Sequence, residues 1–263
     1  MEIRFFLIFF LVVSTLFAKE ISSRYEIEVT LFKKVGYADI IFKEDGKNYE
    51  TTLTVTAVGM AATLLRNRFE TFTSRGKIVD GRYVPDIFIK TKEDNKRSRT
   101  QTYYFDHHKN EIKLIEEKTK LVNKASFNSS NLCITYRDVN ESSREEKIEE
   151  QYFKNDSLTI YLNAIKNCNA RSREYPLYAI GAHNDENSVL LSYLDKKKDT
   201  KINSLQDSDY LYNLNVEPFD KSDTIVDVLI ALDSDGTLKE AFMGEVFWIG
   251  KITAKRIYHN VIQ

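Results

Sequence analysis

Four histidines are the side chains best suited to acid–base or metal chemistry near neutral pH: His107, His108, His183 and His259. Asp106 precedes the adjacent pair His107–His108, and imidazole and carboxylate groups bind Zn²⁺, so a surface metal site is one interpretation. Adjacent residues point to opposite faces of a strand, however, and in a loop they usually solvate a turn. His183 fits a turn, and His259 lies near the end of the last predicted strand. No metal ligands are therefore predicted.

An acidic cluster near the C-terminus has the composition of a calcium loop, but not its spacing. Its members are Asp227, Asp233 and Asp235. An EF-hand loop that began at Asp233 would need a closing Glu at its twelfth position, where the chain has Gly244. A hairpin turn at Asp235-Gly236 is the better interpretation. The chain also has no nucleophile elbow, HExxH motif, P-loop or Rossmann fingerprint. We therefore predict no catalytic, cofactor-binding or metal-binding residues, and the question of enzymatic activity stays open.

Two cysteines, Cys133 and Cys168, allow one disulfide in an oxidising compartment. The bridge would close a loop of about 35 residues and contribute roughly 3–4 kcal/mol in the chain-entropy model. Two buried thiols are the alternative. No CxxC motif is present, which argues against a thiol-exchange enzyme.

Two further surface features concern charge and modification. The basic segment 92–99 carries four cations interrupted by two carboxylates. It could contact anionic lipid head groups or phosphate, or form a solvated hairpin tip. Asn140 lies in the pentapeptide DVNES, which matches the extended acceptor pattern of bacterial N-glycosylation because an acidic residue stands two before the Asn. Asn140 is therefore a predicted glycosylation site in a polar loop.

The N-terminus has the layout of a secretory signal peptide. Arg4 is followed by thirteen residues, 5–17, in which only Ser14 and Thr15 are not apolar. Cleavage is predicted after Ala18, which leaves residues 19–263 as a single β-rich periplasmic domain. An uncleaved anchor is the alternative, but the run is shorter than the roughly 20 residues of a spanning helix. No later apolar run approaches that length, so no transmembrane span is predicted after cleavage.

Composition excludes several classes of protein. The 263 residues include 38 Lys+Arg and 39 Asp+Glu, for a net charge of −1. This balance argues against a nucleic-acid partner bound through a global positive field. Nine Gly and three Pro are too few for a collagen or a Pro/Gly-rich disordered chain. Two Cys in a chain of this length also exclude a small disulfide scaffold.

Strict alternation of apolar and polar residues predicts about a dozen short strands, for example over 25–31, 49–57 and 226–232. One helix is predicted over 156–166, because Leu158, Leu162 and Ile165 share a helical face. The expected fold is mainly β: an antiparallel curled sheet or incomplete barrel, with this central helix on its concave face.

Three segments break the alternation. Residues 60–69 indicate a short helix or an irregular crossover. Residues 117–130 are polar and are predicted to form a loop. Residues 141–150 are charged and are predicted to be an exposed loop or a frayed helical lead-in.

Four features in order resemble an exported bacterial family, "domain of unknown function 3108". They are the alternating strands over 25–42, the turn and strand DGRYVP at 80–85, the strand end YYFD at 103–106, and the helix start DSL at 156–158 followed by Tyr161-Leu162. The resemblance implies an envelope β-protein with a curled sheet or incomplete barrel. It implies no established activity, so no catalytic residues are carried over. The charged stretches 92–99 and 141–150 are longer than the family pattern.

We therefore expect a non-enzymatic periplasmic protein that binds a lipid-like or amphipathic ligand in an apolar concavity, or assists an envelope protein partner. The expectation depends on aromatic residues that should face inward: Tyr25, Phe42, Phe88, Tyr103, Phe105, Tyr210, Tyr212, Phe247 and Trp248. Alternatively, these rings simply fill the core. An envelope hydrolase would instead need a histidine beside an acidic residue in a concave pocket. A surface interaction module would use exposed sheet edges.

Overall fold

The computed structural model describes residues 19–128, 133–167, 174–180, 188–194, 208–216, 226–246 and 250–262. The predicted signal peptide, residues 1–18, lies outside these ranges. The strands are β1 (Lys19–Val29), β2 (Lys33–Glu44), β3 (Asn48–Ala57), β4 (Phe69–Val79), β5 (Arg82–Asp94), β6 (Arg97–Asp106), β7 (Glu111–Asn128), β8 (Cys133–Ile148), β9 (Glu174–Tyr178), β10 (Ser188–Tyr193), β11 (Tyr210–Val216), β12 (Val226–Leu232), β13 (Leu238–Val246) and β14 (Gly250–Ile262). The helices are α1 (Gly59–Leu64) and α2 (Thr159–Asn167).

All fourteen strands belong to one sheet, in the order β8-β7-β6-β5-β4-β3-β2-β1-β14-β13-β12-β11-β10-β9. Every pair is antiparallel, and strands that follow each other in sequence are neighbours, apart from β8 and β9 at the two edges. The first strand, β1, therefore lies in the interior of the sheet, where it pairs with both β2 and β14. The predicted mainly β fold, an open antiparallel sheet with a central helix, is confirmed.

The two faces of the sheet differ in polarity. The concave face carries most of the predicted inward aromatics: Tyr25, Phe42, Phe88, Tyr103 and Tyr212 are buried, and Phe105 and Tyr210 are half-buried. Phe247 and Trp248 lie outside the described residues. The convex face is rich in threonine, and neighbouring strands are joined by Thr52–Thr73 and Thr91–Thr100 hydroxyl contacts of 3.2 and 3.3 Å. This difference is the physical origin of the alternating sequence pattern.

The loop prediction for 117–130 is wrong for residues 117–128, which lie in β7, and the loop or helix prediction for 141–150 is wrong for residues 141–148, which lie in β8. Residues 129 and 130 lie outside the described ranges. Every described side chain of β8 except one is exposed, so no face is covered and no alternation is selected. Polar cross-strand pairs hold the two strands instead. Examples are Asn123–Asp138 at 2.9 Å and Lys124–Glu141 at 2.8 Å. Asn140 consequently lies on a strand rather than in a loop.

Both helices lie where the pattern changes. α1 follows β3, as predicted for 60–69, and exposes Met60 and Leu64. α2 begins three residues later than predicted. Leu162 packs against the cluster of Phe42, Tyr49 and Tyr83, while other faces of α2 contact β9, β11 and β12. One helix thus contacts both halves of the sheet, which requires the sheet to curl around it. Neither helix in the described ranges is long and apolar enough to cross a membrane.

We call residues 152–167, which include α2, the plug. Its anchor is Asp156, a fully buried carboxylate. One carboxylate oxygen accepts hydrogen bonds from the backbone N–H groups of Leu158 and Thr159, at 2.8 and 2.9 Å, and thereby caps α2. The other accepts a hydrogen bond of 2.5 Å from Ser74 on β4, whose hydroxyl lies 2.9 Å from that of Tyr49. The residue that caps α2 therefore also links the plug to the sheet.

Replacement of Asp156 separates the effect of charge from that of hydrogen bonding. Asp156→Ala removes the cap and leaves buried partners unsatisfied, so the free energy of unfolding should fall by about 2–4 kcal/mol. Asp156→Asn keeps acceptor and donor groups in place and should be much milder. Urea denaturation measures both, and equal damage by Asn and Ala would contradict this account.

The same pair of variants tests the sign of a pH effect. Burial raises the pKa of Asp156 against the opposing hydrogen bonds of Ser74, Thr159 and Leu158. The native state then binds this proton more tightly than the unfolded chain, whose Asp pKa is about 3.9. Stability should therefore fall as pH rises from that value through the folded pKa. Asp156→Asn should lack this part of the pH dependence.

Candidate functional site

The plug covers one cross-strand row of the concave face and leaves the next two rows partly open. The covered row runs through Phe42, Thr51, Ser74, Phe88, Tyr103 and Leu114. The first uncovered row pairs Ile40, Leu53, Phe72, Lys90, Gln101 and Glu116 on β2 to β7. The second pairs Ala38, Val55, Glu70, Lys92, Arg99 and Lys118 on the same strands. We call these two rows the concave band.

The β2–β4 end of the concave band is mostly apolar. Ile40, Leu53 and Val55 lie on the same face as the buried core but stay half-buried. Phe72, in the next position of the first row, packs partly against the cluster around Phe88. Side chains of this kind form a shallow apolar floor with accessible surface, which is what a hydrocarbon chain needs.

The β5–β7 end of the concave band is charged. Glu116, which is buried, accepts hydrogen bonds of 2.7 Å from Arg99 and 3.1 Å from Gln101 and also pairs with Lys118. Burial opposes ionisation of Glu116, but the Lys118 and Arg99 contacts outweigh it and lower its pKa. The nearby Glu70 pairs with Lys92 at 3.3 Å.

Lys90 lies where the apolar and charged parts of the concave band meet. Its amino group is 5.6 Å from the centre of the Phe72 ring, within cation–π range. Burial lowers the pKa of Lys90, and the positive charges of Lys92, Arg99 and Arg68 lower it further, while Glu70 raises it. The field around this amine is therefore positive.

A second recess is less suited to a ligand. It is an open cleft of about 450 Å³ lined by residues of β2–β5, among them Glu44, Glu50, Arg75 and Asp86. Much of its charge is already engaged within the fold. Glu50 pairs with Arg75 at 2.7 Å, and Glu44 accepts a hydrogen bond of 2.8 Å from Tyr83.

His107 has a structural role that the sequence did not indicate. Its Nε2 donates a hydrogen bond of 2.7 Å to the carbonyl oxygen of Pro85, because a carbonyl only accepts. Nδ1 is then the acceptor for the hydroxyl of Tyr152, 2.5 Å away, and the ring stacks on Phe105 at 5.7 Å. The prediction that His107 only solvates a turn is wrong: it fastens the start of the plug to the sheet. His108 is exposed in the predicted turn, and His183 lies outside the described residues.

His259 lies beside an acidic residue, as the hydrolase alternative requires. The described residues around it, however, do not form a suitable pocket. Its Nδ1 lies 2.8 Å from the hydroxyl of Ser23, and Asp235 is close enough for its charge to interact with His259. Ser23, however, is only 3% exposed and lies on β1, which pairs on both sides. The surrounding backbone amides are engaged in the sheet and cannot form an oxyanion hole.

The acidic cluster forms a hairpin turn, as predicted. The Asp235 carboxylate accepts a hydrogen bond of 2.9 Å from the backbone N–H of Thr237, while Asp233 pairs with Arg256 on β14. The side chain of Asp227 lies outside the described part of the structure. Within the described ranges, no group of three or more His, Cys, Asp or Glu residues could hold a metal ion.

The two covalent modifications stay predictions. Cys133 is exposed at the start of β8, but Cys168 lies outside the described residues. Asn140 is exposed on β8, opposite Leu121. An exposed Asn on a polar edge strand is accessible to a glycosyltransferase.

The basic segment is divided by its hairpin. Its tip lies between β5 and β6, as the hairpin alternative predicted, with Lys96 and Arg97 exposed. Lys92 and Arg99 instead face the concave band as direct cross-strand partners. Sequence reasoning missed Lys90, Glu70 and Glu116. The two-residue spacing of Lys90 and Lys92 does indicate that both lie on one face of β5. Only the strand register, however, shows that Glu70 on β4 and Glu116 on β7 share that face.

No protein-family model, curated protein or solved structure matches the chain. The family resemblance therefore stays a prediction from the sequence motifs, and the functional proposal depends on the geometry of the concave band.

Replacement of Lys90 by Met tests the electrostatics of the concave band. Met keeps much of the packing over Phe72 and removes the charge, so the variant should be more stable at pH 7 by up to about 1 kcal/mol, less than for fully buried charges. Because the pKa of Lys90 is lower in the folded protein than in the unfolded chain, where it is about 10.4, the folded protein gives up this proton first as the pH rises. The stability of the wild type therefore increases between the folded and the unfolded pKa. The advantage of the variant should therefore shrink between pH 7 and pH 10.

Urea denaturation at the two pH values measures this effect. Lys43→Met, on the convex face, is the matched control and should stay within about 0.5 kcal/mol of wild type. A loss of stability in Lys90→Met at pH 7 would show that the amine is held by favourable contacts instead.

Proposed function

We propose that this chain is a non-enzymatic β-protein of the periplasm that binds a lipid-like or amphipathic ligand across the concave band. The observation that carries the proposal is the change from apolar to charged side chains along two rows of one face. A ligand with one apolar and one polar end matches that order. The predicted signal peptide supports the periplasmic location.

The dimensions of the concave band fit such a ligand. Neighbouring strands are about 4.8 Å apart, so the five steps from β2 to β7 span about 24 Å. The apolar floor of Ile40, Leu53 and Phe72 occupies the first two steps. Each methylene group buried there would contribute about 0.8 kcal/mol to binding. The charged end, at Lys90 and beyond, would stay accessible to a polar head group.

The neighbours Ile40 and Ile41 provide a matched test, since they are the same residue type on opposite faces of β2. Ile40→Asn should weaken binding of N-phenyl-1-naphthylamine, a neutral apolar fluorophore, by about tenfold or more, because it puts an amide into the apolar floor. Ile41→Asn, on the convex face, should leave binding unchanged. Fluorescence titration of the purified protein gives both affinities.

Lipid extraction and native mass spectrometry of protein purified from the periplasm complete the test. A co-purifying amphiphile that is reduced in Ile40→Asn supports the proposal. Equal fluorophore affinity in wild type and both variants would contradict it.

A protruding ribbon favours a second function, that of a surface interaction module for an envelope protein. β7 pairs with β6 only as far as residue 120, but with β8 over its whole second half. Residues 122–128 and 133–139, which we call the ribbon, therefore extend beyond the rest of the sheet. Phe127, Ile134 and Tyr136 lie on one face of it and are 61%, 57% and 68% exposed. Exposed apolar clusters of this kind mark interaction surfaces.

Replacement of Phe127, Ile134 and Tyr136 by Ser should abolish a partner's binding and leave fluorophore binding and stability nearly unchanged, because these side chains pack against no core cluster. Cross-linking of wild type and variant in the periplasm, read by quantitative mass spectrometry, measures partner loss. Ser126→Ala with Thr135→Ala, on the other face of the ribbon, is the control. An identical set of cross-linked proteins in all three would exclude the ribbon as a docking site.

A further inference from the structure

The second row of the concave band places three cations next to one another. Lys92 on β5 is the direct partner of Arg99 on β6, and Arg99 is the direct partner of Lys118 on β7. Side chains in directly opposed positions have their Cβ atoms about 4.5–5.5 Å apart, so like charges there repel and destabilise the sheet. Lys90 is the next residue on the same face of β5, about 7 Å from Lys92 along the strand.

The convex face shows that this sheet pairs opposite charges elsewhere. Its corresponding row on β1–β4 is Glu20, Lys43, Glu50 and Arg75, in which every cross-strand pair is of opposite sign. Single like-charge pairs occur at other places, such as Asp106–Glu111 and Lys124–Arg137, but among the described strand pairs a run of three like charges occurs only in the concave band.

The carboxylates of the concave band do not balance its cations. Glu70 forms ion pairs with Arg68 and Lys92, and Glu116 forms ion pairs with Arg99 and Lys118. With Lys90, five cations face Glu70, Glu116 and the exposed Glu145, which is the direct partner of Glu116 on β8. Among the described residues this leaves an excess of two positive charges, with Lys90 and Lys92 half-buried and Arg99 and Lys118 exposed. The excess persists when the next row on β5–β7, Asp94, Arg97 and Lys120, is included.

We propose that the ligand is an anionic amphiphile whose acidic head group lies among Lys90, Lys92 and Arg99 while its hydrocarbon chain covers Ile40, Leu53 and Phe72. This inference rests on the proposed function and specifies the chemical class of ligand. An acidic head group would supply the missing negative charge, and cations at the edge of an apolar surface are the usual complement of acidic lipids. A phosphate or carboxylate head group satisfies the same chemistry.

The test compares two lysolipids with the same acyl chain, each below its critical micelle concentration. Lysophosphatidylglycerol is anionic and lysophosphatidylcholine is zwitterionic, while glycerol 3-phosphate represents the head group alone. Isothermal titration of the mature protein, residues 19–263, should show tighter binding of the anionic lysolipid and no measurable binding of glycerol 3-phosphate. Raising the salt concentration from 50 to 500 mM should weaken only the anionic lysolipid.

The variant Lys92→Met with Arg99→Met should weaken the anionic lysolipid by about tenfold or more and change the zwitterionic one by less than threefold. Glu70 and Glu116 keep Arg68 and Lys118 as partners, so no carboxylate is left alone. Lys43→Met with Arg75→Met removes the same charges from the convex face and should change neither affinity. The concave variant also loses the 2.7 Å hydrogen bond from Arg99 to the buried Glu116, so its unfolding temperature is measured to confirm that it is folded when the affinities are compared.

The outcomes separate the two proposals. Equal affinity for both lysolipids, unchanged in the concave variant, would overturn the anionic head group and leave the amphipathic ligand standing. Failure of both lysolipids to bind would overturn both. Glycerol 3-phosphate binding as tightly as the anionic lysolipid would overturn the role of the apolar floor.

Discussion

The hydrogen bonds of one buried carboxylate determine which part of the concave face is covered. Asp156 caps α2 with one oxygen and holds Ser74 of β4 with the other, so the first turn of the helix has a fixed position over the sheet. His107 fastens the start of the plug, four residues before Asp156, through Tyr152 and Pro85. With its N-terminal part held at two points, the plug buries one row that includes aromatic side chains and leaves the concave band beside it.

The curl of the sheet follows from the same contact. An open antiparallel sheet of fourteen strands has a large inner face that one short helix cannot cover if the sheet is flat. Leu162 packs against the β2, β3 and β5 side, whereas Ile160 and Ala164 pack against residues of β11 and β12. These two sets of strands are far apart in the strand order, so they meet the same helix only because the sheet bends around it.

Much of this architecture could be predicted from sequence, because burial of one face of the sheet makes apolar and polar residues alternate along each strand. Alternation identified β1 to β3, Asp-Gly pairs located hairpin turns, and helical spacing located α2. β7 and β8 could not be identified in this way, since their second halves have no covered face and are held by polar pairs such as Asn123–Asp138. The pairing of β1 with β14 joins residues more than 200 positions apart, such as Ser23 and His259, and no local pattern encodes it.

The concave band was hidden from sequence for a related reason. Lys92 and Arg99 were visible as part of a basic segment, but the same segment contained Lys96 and Arg97, which are exposed at the hairpin tip. Only the register of β4 to β7 shows that Lys90, Lys92 and Arg99 share a face with Leu53 and Phe72. The aromatic count indicated a core, and most of those rings do fill it, so the accessible part of the concave face depends on aliphatic residues instead.

Charged residues on the inner face of the sheet, and like charges paired across strands, are unfavourable arrangements. They are informative because most of the chain avoids them. Much of the sheet places apolar side chains inward and threonines outward, and the row Glu20, Lys43, Glu50 and Arg75 pairs opposite charges. The concave band departs from all of these habits at one place: it turns charged residues inward, pairs like charges, and keeps Lys90 in surroundings that disfavour its charge. Such departures cost stability, and proteins retain them chiefly where a function requires them. The position of the concave band beside the plug, with an apolar floor at one end, is the reason that we propose a ligand with one apolar and one charged part.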